Sequence, residues 1–295
     1  MDINEQRPPK RSFPSFFFGS GFGYACYYML RNDWVWALLS DQEKDFVKKH
    51  NEYWNNNNPG YKNPEEYQGQ QGKSFRTPGD RRASWEGKMI QLFLDKERPR
   101  SMLEVGPGSG YYTRQIIDCA CVAEYAATDI NIGFLGSVEK AISEHPRASS
   151  VTTKFLPIDK LEAEGFEVDA IVALSALHHV PDRAEFVKRI SNRLTPGGAL
   201  FFYEPTHSVA RLLQLVWSFL RNRWYSTKVV QSRNNYMTHH FCTVAETRAI
   251  AEFAGLDLIW WDVNSSLPLP HFRALVAPIA KEMVAVFRRR LPTAV

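Results

Sequence analysis

From about residue 81 the chain alternates between two hydrophobic rhythms. Short apolar runs recur at 101–105 (SMLEV), 122–128 (VAEYAAT), 151–156 (VTTKFL), 168–174 (VDAIVAL), 198–204 (GALFFYE) and 256–262 (LDLIWWD). Between most of them lie stretches whose apolar positions fall three or four apart, at 84–97, 111–118, 134–144, 183–193 and 244–254. Continuous apolar strands separated by amphipathic helices predict a parallel sheet covered on both faces, with right-handed crossovers. No internal repeat is visible.

Toward the C-terminus the pattern fits two elements. Residues 271–279 (HFRALVAPI) have the composition of a further strand. The longer run 272–291 (FRALVAPIAKEMVAVFRRRL) also spaces its apolar residues as an amphipathic helix broken near Pro278. On the helical reading, the basic FRRRL (287–291) is a solvated helix end whose cations complement the dipole.

The first 80 residues follow neither rhythm. Residues 12–30 (SFPSFFFGSGFGYACYYML) carry no charge and follow Arg7, Lys10 and Arg11. Their Gly, Ser and Pro content, with hardly any Leu, Ile or Val, argues against a membrane span. A helix is expected after Ser40 as N-cap, with Asp41 and Glu43 in its first turn and Phe46 and Tyr53 on one face. The Asn-, Gln-, Gly- and Pro-rich run 55–73 then reads as a loop. The expected architecture is therefore α/β and doubly wound, with a mostly parallel, Rossmann-like sheet over 81–295. It carries an aromatic-rich helical cap over 1–80 and a helical insertion at about 207–240.

Composition narrows the picture modestly. With 295 residues, 44% of them hydrophobic and 23% charged, the chain can bury a sizeable core. A net charge of +4 without a concentrated basic face argues against a nucleic-acid partner. Cys26, Cys119, Cys121 and Cys242 match no zinc or C-x-x-C spacing, and are expected to be reduced thiols in a cytoplasmic protein.

The chemistry is concentrated where strands end. The first strand runs into Gly106, Pro107, Gly108, Ser109 and Gly110 within LEVGPGSGYY (103–112). The spacing is G-x-G-x-G, and Tyr111 breaks the G-x-G-x-x-G of dinucleotide sites. Glycines there let the backbone approach a ligand and take positive φ, and doubly wound sheets bind ligands at the carboxyl ends of their strands. ATDI places Asp129 at the end of the second strand, where a carboxylate can accept both hydroxyls of a ribose or cap a helix. LPIDK places Asp159 after the third strand, either as an acceptor for an adenine amino group or as a turn residue.

Taken in order, these segments resemble the class I S-adenosylmethionine-dependent methyltransferases, in particular the branch acting on small molecules and lipid quinones. The resemblance covers roughly residues 84–262 and rests on LEVGPGSG, ATDI, LPID, ALSALHHVPD and RLTPGGALFFYEP. It implies a seven-stranded sheet with an antiparallel last strand. It implies S-adenosyl-L-methionine as cofactor and S-adenosyl-L-homocysteine as product; no metal ligand is assigned. On this resemblance Glu104, Gly106, Pro107, Gly108 and Gly110 hold the methionine end. Asp129 takes the ribose, Ile130 packs on the adenine, and Asp159 caps its amino group. Ile158 and Ser175, inside the third and fourth motifs, complete the implied cofactor set.

A sulfonium methyl is already an electrophile, so the protein must hold a nucleophile in line and away from water. An acceptor that carries a proton also needs a base. His178 and His179 stand just past the fourth strand, and either is suited to that role near neutral pH. Glu204 ends the fifth strand on the same side, to contact substrate or to bond a backbone amide beside Pro205. Residues 207–226 form a basic amphipathic helix candidate, with Leu212, Val216, Leu220 and Trp224 on one face. Such a helix packs over the sheet, walls an apolar substrate pocket, or rests on a membrane surface.

The expected partner is a small or lipid-like molecule, methylated on a hydroxyl first and on nitrogen second. Peripheral membrane contact is a further expectation, and no oligomeric state is assigned. A nicotinamide dehydrogenase lacks its glycine spacing here. A base-amine methyltransferase lacks its N/D-P-P-Y/F tetrapeptide, whose place reads LSAL (174–177). A non-catalytic binding protein with the same fold is the remaining rival.

Overall fold

The structure is a computed structural model that describes residues 84–108, 110–129, 132–161, 163–180, 183–205, 244–264 and 282–291. The expected N-terminal cap, Ile130, the 207–240 insertion and the 271–279 strand lie outside the described residues.

The described chain opens with α1 (Trp85–Glu97). The Ser84 hydroxyl accepts from the Gly87 amide at this helix's start, and Arg98 closes it in a left-handed conformation, donating its amide to Leu94. Then follow β1 (Ser101–Val105), α2 (Thr113–Asp118), β2 (Glu124–Asp129), α3 (Ile132–Ser143), β3 (Thr152–Pro157) and β4 (Val168–Leu174). The remainder is α4 (Arg183–Ser191), β5 (Leu194–Pro205), α5 (Val244–Phe253), β6 (Leu256–Asn264) and β7 (Glu282–Arg289).

The seven strands form one sheet in the order β3-β2-β1-β4-β5-β7-β6. The pairs from β3 across to β5 are parallel, and β7 runs antiparallel to both β5 and β6. Successive side chains point to opposite faces, so each central strand feeds two cores. Met102, Ala170, Val172, Phe201 and Tyr203 pack with α1, α2 and α3 through Phe93, Ile116 and Val138. Leu103, Val105, Ile171, Ala173 and Phe202 pack on the other face with α4 and α5 through Ile190 and Ala251. Among the described residues no helix is long and apolar enough to cross a membrane.

Two expectations at the sheet's second half are corrected. The seventh strand is 282–289 rather than 271–279, and the 272–291 helix is excluded over that span. Met283 through Phe287 are buried between β5 and β6, so neighbouring strands override the helical spacing. The basic tail is accordingly no helix end. Arg288 forms a two-pronged bond to Glu97 at 2.9 and 2.8 Å, Arg289 reaches the Leu194 carbonyl, and Arg290 meets Asp257 at 2.9 Å. The second correction concerns β5, which begins at Leu194. The TPGG segment lies inside the strand as a bulge, between the Val168–Leu194 and Ala170–Ala199 pairings.

Candidate active site

β1 hydrogen-bonds β2 on one side and β4 on the other. The strand order therefore reverses between β1 and β4, where a crevice opens at the carboxyl ends. Two turns meet there. Gly106 takes φ +65° and donates its amide to the Thr128 carbonyl at 2.8 Å. A Cβ on Gly106 would stand only 2.7 Å from the Cβ of Ala176, in the turn after β4. Gly110 is wedged against Val138 of α3, while a Cβ on Gly108 would meet nothing within 4 Å among the described residues. The glycine turn is thus pinned at both ends and open in its middle. The buried Asp129 reaches back to it, its carboxylate accepting from the Gly108 amide at 3.4 Å.

Glu104 lies beneath this turn and is 1% exposed. Its Oε2 accepts from the Thr113 hydroxyl at 2.7 Å and from the Tyr125 hydroxyl at 2.5 Å. Burial pushes its carboxyl up to about 7, against the pull of those two bonds and with added repulsion from Asp129. Sequence reasoning missed both partners. Tyr125 is the hydroxyl-bearing side chain that opens the buried run of β2 before Ala126 and Ala127, which was the available signal.

The turn after β4 is built on an unusual backbone. Ser175 is exposed, sits at φ +52°, and donates its amide to Tyr203 at 2.8 Å. This bend aims three consecutive amides at one carboxylate. Ala176 and Leu177 donate to Glu204 Oε1 at 2.9 and 2.7 Å, and His178 donates to Oε2 at 3.3 Å. Such a nest of amides holds a negative charge. The imidazole of His178 closes the arrangement, with Nδ1 at 2.6 Å from Glu204 Oε2.

Burial pushes the Glu204 carboxyl up to about 8, opposed by the Leu177, Ala176 and His178 amides and by the charge of Arg183. Glu204 has no exposed surface. Its expected contact with substrate therefore gives way to anchoring of the 176–178 amides and the His178 ring. Arg183, buried at the start of α4, is a further residue the sequence reading missed.

The other expected site residues fall around this crevice. Pro107 is buried within the glycine turn. Ile158, half-buried, and Asp159 lie on a 3-10 turn after β3, and His179 ends the 3-10 turn that carries His178. The side chains of Asp159 and His179 lie outside the described residues, as does Ile130.

Comparison with known proteins accords with this geometry. Residues 103–200 match the family model described as a methyltransferase domain. A squalestatin tetraketide synthase from Phoma sp. is 27% identical over 190 residues, covering 60% of this chain and 7% of that protein. A ubiquinone biosynthesis O-methyltransferase from Methylococcus capsulatus is 26% identical over 197 residues, covering 64% of this chain and 77% of that protein. The chain spans 3 to 7% of the length of the multidomain synthases it matches. The crystal structure of a magnesium protoporphyrin IX methyltransferase from Synechocystis PCC 6803, with bound SAH, superposes with a TM-score of 0.50 at 13% identity. That superposition covers 69% of this chain and 81% of the other, and it shows the shared fold. Residues 103–200 thus match a methyltransferase domain, on a sheet whose fold is shared with S-adenosylmethionine-dependent methyltransferases.

Proposed function

We propose that this domain uses the His178–Glu204 pair as the general base in methyl transfer to a hydroxyl of a small, apolar or lipid-like molecule. The observation that carries the reading is the buried 2.6 Å bond between Nδ1 and Oε2, set in the turn that packs against Gly106.

The chain's own residues fit the donor. No described residue stands within 4 Å of a Cβ on Gly108, which leaves room for a ligand over the backbone, and Asp129 supplies an acceptor beside it for vicinal hydroxyls. Gly106 and Gly110 hold the turn against Ala176 and α3, and Glu104 supports it from below. When bound, S-adenosylmethionine supplies an electrophilic sulfonium methyl. Everything else asked of the protein is positioning and proton removal.

With Glu204 ionised, above about pH 8, His178 donates Nδ1–H to it, which fixes the ring and makes Nε2 the basic nitrogen. Nε2 takes the proton of the acceptor hydroxyl as the oxygen becomes a nucleophile. Glu204, steadied by three amides and Arg183, then stabilises the imidazolium so formed.

A second reading is favoured by the matches to polyketide synthases. The same base can remove a proton from a carbon flanked by two carbonyls, and the methyl then goes to carbon. An amine acceptor makes less use of a buried dyad, because the neutral amine is already nucleophilic.

A screen with methyl-labelled donor tests both readings against quinols, hydroxylated lipids and β-ketoacyl thioesters. The expected product is a methyl ether, identified by the chemical shift of the labelled carbon. A C-methyl product would replace the first reading by the second. Transfer that His178→Ala leaves unchanged would overturn the role given to the dyad.

A further inference from the structure

The turn between α2 and β2 holds two thiols that the methyl-transfer chemistry does not use. Cys119, Ala120, Cys121 and Val122 close as a β-turn, with the Val122 amide donating to the Cys119 carbonyl at 3.1 Å. Two Cα–Cα steps of about 3.8 Å meeting near a right angle leave about 5.4 Å between the first and third Cα. That falls within the usual disulfide span of roughly 4.4–6.8 Å. Both cysteines are free and half-buried.

One guanidinium fixes this turn from its other side. Arg147 Nη1 donates to the carbonyls of Ile117 and Cys119, and Nη2 donates to those of Val122 at 3.0 Å and Ala120 at 3.5 Å. Its own backbone amide is held by His145 Nδ1 at 3.2 Å, and His145 Nε2 bonds Asp118 at 3.0 Å. The backbone of the turn is therefore held with the two cysteine Cα atoms within disulfide reach. The turn enters β2 at the end opposite Asp129, well away from the crevice.

We propose that Cys119 and Cys121 form a reversible dithiol redox site, closed to a disulfide within the turn by a small disulfide oxidant such as oxidised glutathione. The Cys119 thiolate attacks one sulfur of the oxidant, forms a mixed disulfide and releases one glutathione thiolate. Cys121 then loses its proton to solvent, and its sulfur attacks that of Cys119. The second glutathione leaves as thiolate, and the Cys119–Cys121 bond forms. Two protein thiols are oxidised by two electrons, and one oxidised glutathione becomes two reduced molecules.

The order follows from the environment. Burial, with the neighbouring Cys119 side chain, pushes the Cys121 thiol up to about 11, outweighing the pull of its backbone hydrogen bond and of Arg98. Cys119 is thus the attacking sulfur and Cys121 the resolving one. A partly exposed disulfide in so small a ring is of the readily reduced kind.

The test equilibrates the full-length chain in glutathione buffers of increasing oxidation, followed by acid quench, alkylation of free thiols, tryptic digestion and mass spectrometry. The peptide 115–140 contains Cys119 and Cys121 and no other cysteine. The expected result is loss of two hydrogens from that peptide, reversed by dithiothreitol. Cys121→Ser should instead trap a glutathione adduct on Cys119, and neither single serine variant should lose two hydrogens from the peptide. Both thiols remaining alkylatable at every ratio would overturn the proposal. So would separate glutathione adducts on each cysteine, or cross-linking of either to Cys26 or Cys242.

Discussion

Replacing Gly106 by alanine places a methyl group where two turns already touch. The new Cβ would stand 2.7 Å from the Ala176 Cβ, against roughly 3.5–4.0 Å for comfortable carbon contact. One turn must retreat by about 1 Å, and forced overpacking of this kind costs about 1–3 kcal/mol. The residue would also sit at φ +65°, which adds about 1 kcal/mol for an L-residue. The expected destabilisation of Gly106→Ala is thus about 2–4 kcal/mol.

Gly108→Ala provides the internal control. Its φ is +54°, yet its Cβ would meet nothing within 4 Å among the described residues, so only the strain of about 1 kcal/mol is expected. Ala176→Gly in the Gly106→Ala background removes the clash and should recover the contact part while leaving the strain. Urea unfolding followed by circular dichroism, without cofactor, measures all four chains, with unchanged slope as the check on two-state behaviour. Equal losses at positions 106 and 108 would refute the reasoning, as would failure of Ala176→Gly to recover any stability.

Other consequences follow from the same geometry. His178→Ala and Glu204→Gln should each lower turnover by about 10²–10⁴-fold, with little change in cofactor affinity measured by calorimetry, because the pair moves a proton; loss of cofactor binding instead would make the pair structural. Glu104 holds its proton up to about pH 7 when folded, against 4.5 as its ordinary value. The folded state therefore binds the extra proton between those values, and stability falls as pH rises through that window. Glu104→Gln removes this penalty, so its stability relative to the parent should climb from pH 5 to pH 8, by at most about 3 kcal/mol. A difference that stays flat across those urea titrations would contradict the burial of an ionisable carboxyl. Arg288→Met should cost about 1 kcal/mol in the same assay, reduced from a buried pair's value because the arginine side chain is 38% exposed.

What could be read from the sequence was what is local. β1, β2 and β4 stand out because strands buried on both faces are continuous apolar runs with polar breaks. β7 was hidden because its apolar spacing also suits a helix, and its pairing with β5 spans a large sequence separation. The start of β5 was hidden because Pro196, Gly197 and Gly198 signal a turn, whereas the chain resolves them as a bulge inside the strand. At the site, the glycine turn, Asp129 and His178 were legible as residue types at strand ends. The partnership of His178 with Glu204 was not, since it depends on a bend at Ser175 that no propensity predicts. Likewise Thr113 and Tyr125 meet at Glu104 only once α2 and β2 pack on the same face.

The central claim is that the crevice between β1 and β4 holds a methyl donor through its glycine turn and Asp129. Calorimetric titration of the full-length chain with S-adenosylhomocysteine tests it directly. Saturable one-site binding is expected, weakened in Asp129→Ala by about 1–3 kcal/mol, the loss of a charge-assisted acceptor. Absence of binding in the parent chain, or binding of NADH in its place, would contradict it.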